Sequence, residues 1–176
     1  MENSLYIAAT ITLGSLIGLS WFSGSDAPYL PTSKEKIREV LKSAGLKKGL
    51  IFYELGSGDG RVVLEAAKMG ADSYGIEQSW IRVWYSRYQS WSQKLNNARF
   101  FHGNLFDRSY FPADIVFIYL LPQGINKLQP KLKSELKKNT IVITQAFHFP
   151  NWKPFKKLNL KTKNDKIGGE FWFYKV

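Results

Sequence analysis

At 176 residues the chain has room for one α/β domain and a short appendage. It has no cysteine, which excludes disulfides and zinc–thiolate sites, and its two histidines, His102 and His148, do not make a histidine-rich metal centre, so no metal is expected. The formal charge of +11 is uneven, because residues 127–176 hold twelve lysines against three acids, a balance that suits a solvated surface or an anionic partner such as a membrane surface.

Residues 5–22, LYIAATITLGSLIGLSWF, carry no charge. As a helix rising about 1.5 Å per residue they would span roughly 27 Å, near the lower limit for crossing a bilayer core. Tyr6 at one end and Trp21-Phe22 at the other suit the two interfaces, and the opening MENS lacks the positive charge of a cleavable signal. The first basic residues, Lys34, Lys36 and Arg38, follow the segment. The expectation is one N-terminal transmembrane helix and linker in residues 1–27, with a domain over residues 28–176 on the cytoplasmic (or matrix) side of a membrane. A buried or interfacial helix is the alternative, since Thr10, Thr12 and Ser15 dilute the hydrophobicity.

Gly24, Pro28 and Pro31 discourage helix continuation. Thr32 with Glu35 three residues later forms a capping box, which predicts a helix running to Ala44 and ending at Gly45. The apolar run Leu50-Ile51-Phe52-Tyr53 then ends in Glu54, followed by Gly56-Ser57-Gly58-Asp59-Gly60 and a helical pattern from Arg61. This is strand, glycine turn, helix, the arrangement that places a nucleotide-type ligand at the carboxyl end of a first strand. A dinucleotide site wants G-x-G-x-x-G, whose third glycine would fall on Arg61; a Walker G-K-[ST] is also missing. Glu54, two residues before the turn, would repel a pyrophosphate and attract a cation. The spacing fits S-adenosylmethionine, with Glu54, Gly56, Ser57 and Gly58 around its methionine end.

A second strand over residues 71–77 ends in Glu77, an acid placed to accept both ribose hydroxyls. A helix over residues 79–95 carries Trp80, Trp84, Tyr88 and Trp91 near one stripe, with Arg82 and Arg87 off it. Two uses of the stripe stay open: core packing with a cofactor-side lining, or rest at a lipid interface. A third strand runs into Gly103-Asn104-Leu105-Phe106, where Asn104 is placed for the adenine amino group and Leu105 or Phe106 for its face. His102 reads as structural. Residues 114–122 form a buried fourth strand whose end, Tyr119 to Pro122, lies beside the methyl group in this topology. A lysine-rich helix over 128–137, a fifth strand over 140–147 and a closing antiparallel hairpin complete a Rossmann-like α/β sheet, mostly parallel. Arginine is the better base-reading residue, so its absence after residue 127 argues against sequence-specific nucleic-acid binding.

Pro28-Tyr29-Leu30-Pro31-Thr32, Glu54-Leu55-Gly56-Ser57-Gly58-Asp59-Gly60-Arg61, Gly75-Ile76-Glu77, Gly103-Asn104-Leu105-Phe106, Tyr119-Leu120-Leu121-Pro122, Pro130-Lys131-Leu132 and Trp152-Lys153-Pro154 together resemble the class I, seven-β-strand protein-lysine methyltransferases. The nearest group in pattern is the mitochondrial enzymes acting on the ATP synthase c-subunit and the adenine nucleotide translocase, with their prokaryotic relatives. The likeness runs over residues 28–176. It implies a membrane-anchored, S-adenosylmethionine-dependent transfer of methyl groups to lysines of a protein substrate, itself open to being a membrane protein. Tyr119 would be the methyl-facing wall, with Pro122 beside it, and Tyr29 and Thr32 would close the cofactor crevice. Asn104 stands where relatives more often have aspartate, and Thr144-Gln145-Ala146-Phe147-His148 where they tend to have a Ser-His pair. Two other readings stay open: a methyltransferase for a lipid, quinone or other small hydrophobic molecule, and a non-catalytic S-adenosylmethionine- or RNA-binding module.

Overall fold

The computed structural model describes residues 32–161 and 169–176, together with Tyr6, Ile7, Thr10, Ile11, Thr12, Gly14 and Ser15. Ser33 caps α1 (Lys34–Ser43), its hydroxyl accepting from Lys36 N at 3.4 Å. The cap is therefore Ser33, not the expected Thr32, whose hydroxyl is engaged elsewhere. The chain continues as β1 (Ile51–Leu55), α2 (Arg61–Lys68), β2 (Asp72–Glu77), α3 (Trp80–Ser92), β3 (Ala98–His102), β4 (Ile115–Ile118), α4 (Pro122–Glu135), β5 (Ile141–Gln145), β6 (Lys156–Asn159) and β7 (Glu170–Lys175).

The sheet order is β3-β2-β1-β4-β5-β7-β6. The first five strands pair in parallel, and β7 joins β5 and β6 antiparallel. Alternation along the strands builds a core on each face. Phe52, Phe117, Ile143, Phe171 and Phe173 pack with Ile37, Val40 and Leu41 of α1 and Val62, Val63 and Ala66 of α2. Val116, Ile118, Val142, Trp172 and Tyr174 pack on the other face with Ile125, Leu128 and Leu132 of α4. Every residue of β4 is buried because both its faces are covered. The order reverses between β1 and β4, so a crevice opens beyond their carboxyl ends.

Three further expectations are corrected. Among the described residues no helix is long and apolar enough to cross a membrane. Within residues 5–22 the described positions are helical, with Thr10 Oγ1 donating to Tyr6 O and Ser15 Oγ to Ile11 O, each at 2.8 Å, and the hydroxyl residues dilute the apolar character of the stretch. The transmembrane helix is therefore withdrawn, and with it the single-pass membrane localisation and the membrane-anchored form of the activity. Second, α4 begins at Pro122 rather than near residue 128. Leu121 is extended, Pro122 takes the first helical position where its missing N–H costs nothing, and β4 has already ended at Ile118. Third, the aromatic stripe of α3 faces outward: Trp84 is 75% and Trp91 76% exposed, which rules out core packing. The helix buries Arg82, Val83, Ser86 and Ser90 instead.

Gly60, with φ of +80°, caps α2. A Cβ there would stand 2.7 Å from both Phe100 Cε1 and Ser86 Oγ. Gly60→Ala is expected to cost about 2–4 kcal/mol, the sum of a left-handed backbone and an overpacked contact. Urea unfolding measures it, with Gly124→Ala in α4, where a Cβ meets nothing nearer than 3.4 Å, as a control of small effect.

Candidate active site

The glycine turn closes the end of β1 over β2. Gly56 N and Ser57 N both donate to Ile76 O at 2.9 Å, and Gly60 N donates to Ser57 O at 2.8 Å. Gly56, Gly58 and Gly60 all take positive φ, so three residues of the turn adopt backbone that a side chain would strain. Gly56 also lies under Leu120, whose Cδ2 would be 3.3 Å from a Cβ at that position. The segment after β4 thereby roofs the turn.

The two strand-tip acids differ in their surroundings. Glu77 is buried and fully directed: Oε2 accepts from Gly58 N and Oε1 from Ser79 N, each at 2.9 Å, and Arg82 Nη1 stands 3.9 Å from Oε1. Glu77 thus ties the second strand to the glycine turn. Glu54, 5% exposed, has no ion-pair partner among the described residues, and its Oε2 meets no hydrogen-bond donor. Burial first, then the neighbouring charge of Asp59, pushes its carboxyl well above the usual carboxylate range, against a hydrogen bond from the Val63 backbone N–H. Ser57 Oγ is also buried without a partner among the described residues.

On the opposite wall, Thr32 and Gln145 hold each other, Gln145 Nε2 lying 2.7 Å from Thr32 Oγ1. Arg61 Nη1 donates to Thr32 O at 3.1 Å while its Nε and Nη2 engage Asp59. The chain before α1 is thereby tied to the end of β5 and to the glycine turn. Tyr29 lies outside the described residues. Beyond β3, Asn104 Oδ1 accepts from Phe106 N at 3.0 Å and starts a short 3-10 turn in which Leu105 is buried. Asn104 itself is exposed beside it. Trp80 stacks on His102, with ring centroids 3.9 Å apart and planes 7° apart, at the outer rim of this corner. Tyr119, one residue beyond β4, is half-buried with no partner for its hydroxyl among the described residues, and burial raises its pKa. Pro122 is exposed at the head of α4.

The turn, Glu54 and Glu77 come together at adjacent strand ends, with Thr32 and Leu120 around them; Asn104 and Leu105 sit beyond β3, and Pro122 is exposed at the head of α4. Four participants were not singled out by the sequence reading. Ser79 was visible as a cap two residues after Glu77, and the Asp59–Arg61 pair as opposite charges two apart. Arg82, read as a flank of the aromatic stripe, is buried beside Glu77 instead, and no local signal marks it.

These residues fit a cationic nucleoside. A buried acceptor, Glu54 Oε2, and a buried hydroxyl, Ser57 Oγ, await partners at a turn whose backbone admits close approach, and the second acid is oriented for a ribose. Parallel order, switch point and two-acid turn together define a class I S-adenosylmethionine-dependent methyltransferase.

Comparison with known proteins extends this. Residues 54–156 match the family model of the ANTKMT methyltransferase domain. The chain belongs to that family, which relates it to the protein-lysine methyltransferases, and S-adenosylmethionine is its cofactor. It is 37% identical over 128 residues to the ATP synthase c-subunit lysine N-methyltransferase of Xenopus laevis, covering 72% of this chain and 56% of that protein. It thus spans little more than half the length of that relative. A protein-lysine N-methyltransferase of Saccharolobus islandicus is 30% identical over 141 residues, 78% of this chain and 87% of that one. Among solved structures, an RNA methyltransferase from Salinibacter ruber in complex with S-adenosylhomocysteine superposes with a TM-score of 0.76 at 29% identity, covering 84% of this chain and 94% of that one.

Proposed function

We propose that this protein transfers methyl groups from S-adenosylmethionine to lysine side chains of a protein substrate. The observation that carries the reading is the similarity to lysine N-methyltransferases across the part of the chain that builds the crevice, including 87% coverage of the Saccharolobus islandicus protein. Bound S-adenosylmethionine supplies an activated methyl on a sulfonium, so the protein's task is to position and desolvate. Glu54 and Ser57 hold the methionine end, which lies against the close-approaching backbone of the glycine turn, and Glu77 takes the ribose hydroxyls. Asn104 and Leu105 serve the adenine, while Thr32, held by Gln145 and Arg61, closes the side of the crevice. Tyr119 walls the acceptor side. A lysine must arrive without its proton, whose ordinary pKa is about 10.4. An apolar aromatic wall disfavours the ammonium and so assists that loss, while the ring attracts the cationic centre that remains.

A second reading, RNA as the methyl acceptor, draws on the Salinibacter ruber structure and on the lysine surplus of residues 127–176. The two separate in one experiment. Purified protein is incubated with isotopically labelled S-adenosylmethionine and the protein, RNA and lipid fractions of cells lacking it. Label on lysine, located by mass spectrometry, is the expected result. Label confined to RNA or to lipid would replace the reading.

A further inference from the structure

We propose that Glu54 couples cofactor binding to proton release: in the cofactor-free protein its carboxyl is protonated, and the α-ammonium of the incoming cofactor takes the place of that proton. The inference rests on the cofactor and its crevice, not on the identity of the methyl acceptor.

The geometry around Glu54 leaves an ionised carboxylate poorly served. It is buried at the end of β1, with Oε2 facing no donor among the described residues, and a buried, unmatched carboxylate is among the most costly groups in a protein interior. The groups near it come from four elements. Asp59 in the glycine turn and Glu77 at the tip of β2 are both acids and oppose its ionisation. Arg61, at the start of α2, favours ionisation but sends its guanidinium to Asp59 and to Thr32 O. From α2 comes the Val63 backbone N–H, a single neutral donor. Tyr119, after β4, offers a hydroxyl that does not reach it. Three carboxylates thus crowd a site with two guanidiniums, Arg61 committed to Asp59 and Thr32 O and Arg82 standing beside Glu77. Glu77 has its two amide donors and Asp59 its arginine, so Glu54 is where a proton relieves the crowding. Burial and the two neighbouring acids raise its pKa in this way.

A ligand ammonium beside Glu54 reverses the balance by supplying the missing positive charge and donors. The proton then leaves for solvent, and no other group is altered. Because the bound state holds fewer protons, affinity rises with pH until the carboxyl ionises in the free protein. Acidification weakens cofactor retention, and the enzyme gains an acid-sensitive step at a residue the chemistry itself does not consume.

Calorimetric titration of the whole chain tests this, in pairs of buffers of different ionisation enthalpy, between about pH 5 and about pH 7, below the ordinary pKa of about 7.7–8.0 of an α-amino group, so that the ligand's own ammonium stays mostly protonated. The probes are S-adenosylhomocysteine, which carries the ammonium, and 5′-methylthioadenosine, which lacks it. The wild type is expected to release up to about one proton per S-adenosylhomocysteine bound, with affinity climbing by up to about tenfold per pH unit on the acid side. With 5′-methylthioadenosine no release is expected. In Glu54→Gln, release should vanish and the affinity for S-adenosylhomocysteine become flat with pH. The proposal is overturned by a wild type that releases no proton, by equal release with both ligands, or by release that persists in Glu54→Gln. Should that variant not fold, the two-ligand comparison on the wild type decides alone.

Discussion

Glu77→Ala is expected to weaken binding of S-adenosylhomocysteine by at least about a hundredfold. Both carboxylate oxygens of Glu77 are oriented by backbone amides, from Gly58 and Ser79, and each keeps a lone pair for a ribose hydroxyl. Hydrogen bonds to a charged group are worth about 1.5–3 kcal/mol each, so losing two removes roughly 3–6 kcal/mol. That exceeds the 2.7 kcal/mol or so that corresponds to a hundredfold in affinity. The variant also leaves Arg82 buried without its carboxylate, so thermal unfolding must accompany the measurement. Glu77→Gln, which keeps the shape, separates the two effects: a folded Glu77→Gln protein that binds within about tenfold of wild type would show that the acid does not hold the ribose.

Tyr119→Ala is expected to lower turnover by about a hundredfold while changing S-adenosylhomocysteine affinity little. The ring stands one residue beyond β4, half-buried, and its hydroxyl has no partner among the described residues. A wall that sets the approach of the acceptor acts on the transition state, where misplacement by about 1 Å can cost about 10²-fold. An aromatic face adds about 0.5–2 kcal/mol of attraction for a cation. Tyr119→Phe keeps the face and should retain more activity than Tyr119→Ala. Single-turnover rates alongside calorimetry make the comparison, and equal losses in rate and affinity would reassign Tyr119 to cofactor binding.

The two expectations fall on residues of different legibility. Glu77 was readable because a strand's apolar run, its terminal acid and the preceding glycine turn lie within a short span, where steric and hydrogen-bonding rules act locally. Tyr119 was readable by position, one strand-end beside another, although the reading carried β4 on to Pro122 when it stops at Ile118. The N-terminal segment shows the opposite case. Hydropathy over residues 5–22 suggested a membrane span, but length and the absence of charge do not establish one, and hydroxyl residues and glycines interrupt that stretch.

Alone, the sequence determined the α/β class, the strand–turn–helix unit and the cation-favouring character of the crevice, all set by neighbours a few residues apart. The tertiary structure decided which residues meet across the chain. Thr32 gave up its capping role to bond Gln145, 113 residues away, because β5 brings that side chain to the crevice. Arg82 turned inward to Glu77 and the tryptophans of α3 outward, because helix α3 packs its small side chains against the sheet. Such choices depend on which surfaces the sheet order sets face to face, and that order is a property of the whole chain rather than of any segment.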